Sequence, residues 1–589
     1  MTSTMAMRNL LACLAFSFVL LEVTAPAASA EESRIGRKIQ SFVLDDCVGH
    51  SRSLDEWSES KLVVVAFLGT ECPLATLYAP RLAELSQRWT ASDVSFIGIN
   101  SNQQDSIKEV AVYAQRYGIS FPMLKDPANE VADRFGAERT PEVYVLDQKR
   151  TIRYCGRIDD QYGIGFQKPE AGRHDLELAL NELLAGKPVA EPTTTAPGCL
   201  IGRVKRPDPT GDVTYSNQIA RILRQRCIEC HHDGQIAPFA LTQYSEVVGW
   251  AEMIREVVHE RRMPPWLAAP EHDNFKNNPS LTGAEIELID RWVENGCPEG
   301  DSNDLPASAD FATGWGISEP DEIFYMSDEP HTVPAEGVVE YQYFTVDPGF
   351  KEDRWIKQAE VKAGNPAVVH HVIVFIQQPG GERFGNPQMA YAPGMTPRRF
   401  DEGMAIRAPA GCQLRFQCHY TPNGTEQQDR SYVGFVYADP DEVKYEVEGG
   451  SCGNVSLKIP PHDPNYQVVS QARFRRDTTL LGMNPHMHLR GKSFRYELIH
   501  ADGKREMLLD VPRYDFNWQL WYMLKEPKVM PRGSRLVCTA HFDNSENNLA
   551  NPDPTKVVTW GEQTWDEMMF GFYSIIKPLD GDSKSSSSN

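Results

Sequence analysis

The hydrophobic pattern of this chain changes period twice, so a single fold cannot accommodate it. Residues 34–190 alternate apolar runs of strand length with amphipathic stretches of helical length. The run 62–68, Leu-Val-Val-Val-Ala-Phe-Leu, is apolar on both faces, as a strand inside a covered sheet must be. From 213 to 300 apolar residues recur every three or four positions, at 219–226, 244–261 and 286–295. Thr282-Gly283-Ala284-Glu285 reads as the capping box that starts the last of these helices. From about 303 onward short alternating strands lie between Gly and Pro turns, enough for two antiparallel sandwiches. A chain of 589 residues exceeds what one core supports and fits three or four domains.

The expected organisation is multidomain. An α/β domain spans 31–191, and a linker at 192–212 carries three consecutive threonines between prolines. An all-α domain at 213–300 and a short Asp-, Ser- and Pro-rich linker at 301–311 come next. Two all-β, jelly-roll-like antiparallel sandwiches occupy 312–447 and 448–577, and a disordered tail, 578–589, ends the chain. Residues 1–30 read as an export signal: Arg8, an apolar run at 10–21, then Ala28-Ser29-Ala30 where cleavage requires small residues. Leu10-Leu11-Ala12-Cys13 looks like a lipoprotein box, but too few apolar residues precede the cysteine. No later apolar run approaches the roughly 18 residues of a membrane span. The mature protein is therefore expected to be soluble and exported, periplasmic or extracellular. A formal net charge of −22 argues against nucleic acid or an anionic membrane as partner. Of twelve cysteines, Cys13 leaves with the signal, and Cys227 and Cys230 belong to a motif of their own. The odd number that remains leaves at least one thiol free or paired between chains. Export permits disulfides.

The order β-α-β-α-β-β-α in 34–190, with Pro141 just before the third strand, resembles the thioredoxin fold. Cys72 stands where the nucleophile of such a redoxin belongs, at the mouth of the first long helix, and Pro73 fits the first helical turn. A helix N-terminus favours thiolate. Thioredoxins carry a second Cys three residues on, and here that position is Ala75. Peroxiredoxins carry Thr three residues before, and here that position is Gly69. Cys72 is thus read either as a working redox thiol or as part of a fold kept as an interaction module. Cys47, Cys155 and Cys199 are unranked candidates for its resolving partner.

Cys227-Ile228-Glu229-Cys230-His231 is C-x-x-C-H, the attachment motif of covalent haem c. The two thiols would bind the haem vinyl groups and His231 the iron. A dithiol redox pair or half a zinc site are the competing readings. Arg262-Met263-Pro264-Pro265-Trp266 offers Met263 as sixth ligand on a stiff loop, which would raise the iron potential. His232, His259 and His272 compete for that role. The segment resembles class I cytochromes c.

His370 and His371, His419, His486 and His488, and Met568 supply five imidazoles and a thioether, a set that favours copper over hard cations. His486 and His488 share one face of a strand, whereas adjacent His370 and His371 point to opposite faces unless the strand is distorted. Val368-Val369-His370-His371-Val372, Cys418-His419-Tyr420, His486-Met487-His488-Leu489-Arg490-Gly491-Lys492 and Asp566-Glu567-Met568 resemble, in this order, the copper type II ascorbate-dependent monooxygenases. That family includes peptidylglycine hydroxylating and dopamine beta-monooxygenases, and the resemblance covers about 310–577. It implies two copper ions, one on His370, His371 and His419 and one on His486, His488 and Met568, where dioxygen binds. It further implies a small organic substrate hydroxylated at a C–H bond and ascorbate as electron donor, while the fused haem c offers a built-in donor of its own. The family has Cys after the ligand Met and this chain has Met569, so Cys538 is expected to lack its disulfide partner. The alternative function is a multi-centre electron-transfer or thiol-redox, peroxiredoxin-like protein without hydroxylase activity.

Overall fold

The computed structural model describes residues 34–579 apart from 234, 308–313, 336, 338 and 382–388. The expected signal segment lies outside the described residues, as does all but the start of the expected tail. Among the described residues no helix is long and apolar enough to cross a membrane.

The N-terminal part is a thioredoxin-like α/β domain. Strands β1 (Val43–Asp46), β2 (Ser51–Ser53), β3 (Leu62–Phe67), β4 (Val94–Asn100), β5 (Met123–Lys125), β7 (Glu142–Asp147) and β8 (Ile152–Gly156) form one sheet, with β6 (Arg139–Thr140) outside it. The sheet order is β2-β1-β5-β4-β3-β7-β8. The apolar run becomes central β3, parallel to β4 and antiparallel to β7, and every residue of it is buried. Helix α1 (Pro73–Thr90) turns Ala75, Tyr78, Ala79, Leu82 and Leu85 into the core, a spacing of three and four that lays one face on the sheet. Helix α2 (Ile107–Arg116) starts at a Ser106/Glu109 capping box, and α3 (Glu130–Phe135) and α4 (Asp175–Leu184) complete the domain.

Beyond the linker, helices Ala220–Arg226, Tyr244–Val247, Ala251–His259 and Gly283–Glu294 pack around Trp250 and Trp292. The Thr282/Glu285 box caps the last one as expected. The helix expected over 244–261 runs from Tyr244 to His259 and tightens to a 3-10 turn at Val248–Trp250, where the Trp250 indole is buried in the core. This unit is not separate from the β-rich half of the chain. Phe275 lies in the core of the C-terminal sandwich, Trp266 packs on Tyr522 with 4.7 Å between ring centroids, and Ala269 N–H donates to Asp510 O at 2.8 Å.

Among the described residues, the strands of the C-terminal half pair antiparallel except where Met404–Ala408 meets Tyr445–Gly453. One sheet orders strands Gln342–Val346, Gln413–Tyr420, Val369–Gln377 and Met389–Tyr391, and another orders Tyr466–Arg473, Arg535–Phe542, Gly491–Ile499 and Arg505–Val511. A nine-stranded sheet runs through both sandwiches, joined where Met404–Ala408 pairs parallel with Tyr445–Gly453. The division expected near residue 447 falls inside that second strand.

Candidate functional site

Cys72 is the N-cap residue of α1, followed by Pro73, whose missing N–H costs nothing at the first helical position. Its sulfur lies 2.9 Å from Thr140 O and is completely buried. What covers it is the linker. The strand Cys199–Leu200 pairs antiparallel with β6, setting Cys199 opposite Thr140 and packing it against the core cluster that contains Cys72. Burial opposes ionisation of Cys72, but the neighbouring Cys199 and Thr140 side chains and the Ala75 and Cys199 amides outweigh it. The thiol is brought down to about 6. Its partnership with Cys72, reinforced by burial, pushes Cys199 well above the ordinary thiol value. Burial also raises Cys47 and Cys155. At position 69, where a peroxiredoxin carries Thr, a Cβ would come 2.5 Å from Asn102 Nδ2 and 3.0 Å from Thr140 Oγ1, so a larger residue there requires the buried Asn102 side chain to shift.

The histidines expected to share one ion do come together. His419 is the cross-strand partner of His371, and a β-bulge between Val369 and His371 supplies the distortion that adjacent histidines need. One nitrogen from each of His370, His371 and His419 lies within 4.8 Å of the other two, and His370 Nδ1 is 3.3 Å from His371 Nδ1. Burial holds all three rings below the ordinary imidazole value, His370 down to about 4, so they are neutral lone-pair donors at neutral pH. His419 Nδ1 is buried without a hydrogen-bond partner, so its lone pair or N–H is left unsatisfied by the protein. The Tyr341 ring covers the trio, 5.3 Å from His371 and 4.9 Å from His419.

His486 ends the strand Thr478–His486, and its ring centroid is 5.3 Å from that of His488. His486 Nδ1 is hydrogen-bonded to Gln519 Oε1 at 3.0 Å, and burial brings His488 down to about 3. Buried Glu567 ties the backbones of His488, Arg490 and Met568 to one carboxylate. Its Oε2 accepts the N–H groups of His488 at 2.9 Å and Met568 at 3.1 Å, and its Oε1 accepts that of Arg490 at 2.7 Å. Burial pushes this carboxyl up to about 7 against those three donors. The two sets face each other across Phe516, whose centroid is 5.8 Å from both His370 and His488. Cys538 stays a free thiol, as does Cys452 on the facing sheet; burial and the neighbouring Cys452 thiol raise Cys538 well above the ordinary thiol value.

In the C-x-x-C-H turn, burial pushes the Cys227 and Cys230 thiols up to about 12 and 11, so both are protonated at neutral pH, a poor state for a nucleophilic dithiol. His231 Nδ1 is hydrogen-bonded to Phe239 O at 3.1 Å, which directs Nε2 away as the remaining ligand nitrogen. Thiols and free nitrogen suit a covalent haem. Of the candidates for the sixth position, His259 is engaged by Asp290 at 2.8 Å, His232 by Ile228 O at 2.6 Å, and His272 ends the turn Pro270–His272. Met263 is half-buried, its N–H directed to Val257 O at 3.2 Å. Tyr341, Phe516 and Gln519 were not among the residues expected from sequence. They come from segments with no spacing relation to the ligands.

The AhpC/TSA family matches residues 35–155. The thiol-disulfide oxidoreductase ResA of Halalkalibacterium halodurans is 31% identical over 144 residues, which are 24% of this chain and 80% of that protein. ResA of Geobacillus thermodenitrificans is 25% identical over 150 residues, 26% of this chain and 82% of its own. Among solved structures, a hypothetical protein from Sinorhizobium meliloti 1021 has 30% identity and a TM-score of 0.27, covering 29% of this chain and 94% of its own. These matches concern about a quarter of the chain, and it is through this thioredoxin-like redoxin domain that the chain belongs to the AhpC/TSA family.

Proposed function

We propose that the redoxin domain carries out thiol–disulfide exchange with Cys72 as the attacking sulfur. The supporting observation is the set of donors on that sulfur at the start of α1, which makes it a thiolate at neutral pH while Cys47, Cys155 and Cys199 stay protonated. The likeness to ResA proteins agrees with exchange, and the crowding at Gly69 disfavours a peroxidase. Because the folded-state value lies below that of a free thiol, the thiolate form stabilises the reduced protein at alkaline pH. That contribution is lost as pH falls through about 6. The difference in ultraviolet thiolate absorbance between the wild type and Cys72→Ser should titrate with a midpoint near 6; a midpoint near the ordinary value of about 8.5 would overturn the assignment.

A second reading is carried by the histidine trio and its orphaned nitrogen. We infer that the C-terminal half holds two copper ions, on His370, His371 and His419 and on His486, His488 and Met568, and acts as an exported monooxygenase. Bound copper would supply one-electron transfer and dioxygen activation. The protein's part is to present neutral imidazoles, to fix the His486 ring through Gln519, and to keep Tyr341 and Phe516 over the ligands against water. The C-x-x-C-H turn would hold haem c, with Met263 as sixth ligand, as an internal electron donor beside or instead of ascorbate. Copper titration followed by electron paramagnetic resonance should find two ions, with Met568→Ala losing one and keeping the other on the trio. Dioxygen uptake that never depends on an organic substrate would favour a pure electron-transfer protein.

A further inference from the structure

The segment that leaves the redoxin domain does not hang free as a linker. It lies across the mouth of α1 as an added strand, the way a peptide docks on a sheet edge. Ile201 N–H donates to Glu138 O at 2.8 Å, Gly202 N–H to Asn102 Oδ1 at 3.0 Å and Val204 N–H to Asn129 Oδ1 at 2.8 Å. The Ile201 side chain is buried in the redoxin core. Gly198 makes the approach possible, because a Cβ there would collide with Thr140 O and its φ of +127° is one that other residues rarely adopt. Arg139 then fastens the strap to the helical unit, donating to Gly198 O at 2.8 Å and pairing with Glu256 at 2.7 Å. The result is that Cys199 stands in the seam between the two units, packed against the cores of both, the redoxin one of which contains Cys72.

We propose that Cys199 is the resolving thiol of Cys72, and that the 198–204 strap is an intrachain substrate which closes the redoxin site when the two form a disulfide. This inference rests on the exchange reading of Cys72 and assigns its partner, which lies outside the stretch that matches the AhpC/TSA family. The chemistry balances with a disulfide RS–SR as oxidant. The Cys72 thiolate attacks one sulfur, the S–S bond breaks, and RS⁻ leaves to take a proton from water. The Cys199 thiol then gives up its proton and attacks Cys72 Sγ, expelling the second RS⁻, which takes that proton. Two protein thiols are oxidised to one disulfide and RS–SR is reduced to two RSH, a transfer of two electrons. Cys72 is buried under the strap, so the strap must lift for RS–SR to reach it and fall back for the second step. Since Cys199 pairs with Thr140, whose carbonyl lies 2.9 Å from Cys72 Sγ, falling back returns the two thiols to the same seam.

The full-length reduced protein would be oxidised with glutathione disulfide, digested without reduction, and its linked peptides mapped by mass spectrometry. The wild type should yield a Cys72–Cys199 peptide pair and retain no glutathione on Cys72. Cys199→Ser should accumulate glutathione on Cys72, and Cys72→Ser should leave Cys199 unmodified. If the wild type keeps glutathione on Cys72 as Cys199→Ser does, or joins Cys72 to Cys47 or Cys155, the resolving role of Cys199 is wrong and exchange at Cys72 stands. If Cys72 takes up no glutathione in Cys199→Ser and forms no disulfide in the wild type, exchange itself is refuted, and this proposal with it.

Discussion

Glu567 is the residue on which the second ligand set turns. Both of its oxygens are acceptors, and their three donors are the backbones that carry His488, Arg490 and Met568. Glutamine at this position has one acceptor oxygen and sets an NH2 group against an N–H, leaving a buried donor unsatisfied. Glu567→Gln should therefore weaken copper at His486, His488 and Met568 by roughly 10- to 100-fold, the usual loss when an outer-shell partner is removed, and leave the trio unaffected. A copper titration in which both ions bind with unchanged affinity would show that the clamp is irrelevant to binding. Such a residue is only half-visible in sequence. Asp566-Glu567 can be seen beside Met568, but not that the side chain reaches back to the turn between the strands Thr478–His486 and Gly491–Ile499. The paired His370 and His371 pose the reverse case. Their identity is plain, but a regular strand would separate them, and the bulge that unites them depends on register against Gln413–Tyr420.

Among the elements, those with a strong local period were legible and those made by tertiary pairing were not. β3 and α1 follow directly from a continuous apolar run and from apolar spacing behind a proline. The strand Cys199–Leu200 has two residues and no pattern, and it exists only because β6 offers it an edge. It lies in a stretch whose composition reads as linker, which is why sequence left Cys47, Cys155 and Cys199 unranked. Its dependence on Gly198 can be tested. Alanine there must adopt a strained backbone and meet Thr140 O, costing about 1–3 kcal/mol. The open population of the strap should then rise about tenfold for each 1.4 kcal/mol. Iodoacetamide should accordingly alkylate Cys72 of reduced, native Gly198→Ala roughly 10-fold faster or more than that of the wild type. Equal rates would mean that the strap does not limit access to the sulfur.

The whole molecule is less divisible than the three regimes of its sequence suggest. Arg139–Glu256 and Lys205–Glu252, both at 2.7 Å, tie the redoxin domain and its strap to the helical unit. Asn517 Nδ2 donates to Gly165 O at 2.9 Å between the C-terminal half and the redoxin domain. The firmest seam joins the helical unit to the C-terminal sandwich. Lys276 N–H donates to Met523 O at 2.8 Å, Lys525 N–H to Asn274 O at 3.1 Å, and Asn277 both donates to Trp521 O and accepts from the Met523 N–H. Phe275, only 1% exposed, sits among Tyr522 and other sandwich residues although it belongs by sequence to the helical segment. A core aromatic cut to alanine costs about 3–5 kcal/mol, because contacts are lost and the cavity collapses only partly. If the two units were joined by a linker alone, Phe275→Ala would act on the helical unit and leave the sandwich melting as before. With the ring in the sandwich core, the mutation should lower the melting temperature of the sandwich itself. Scanning calorimetry of the wild type should show helical unit and sandwich unfolding in one transition. Two separable transitions, with the sandwich indifferent to Phe275→Ala, would contradict this coupling, which also keeps the C-x-x-C-H turn and the histidine clusters at a fixed separation.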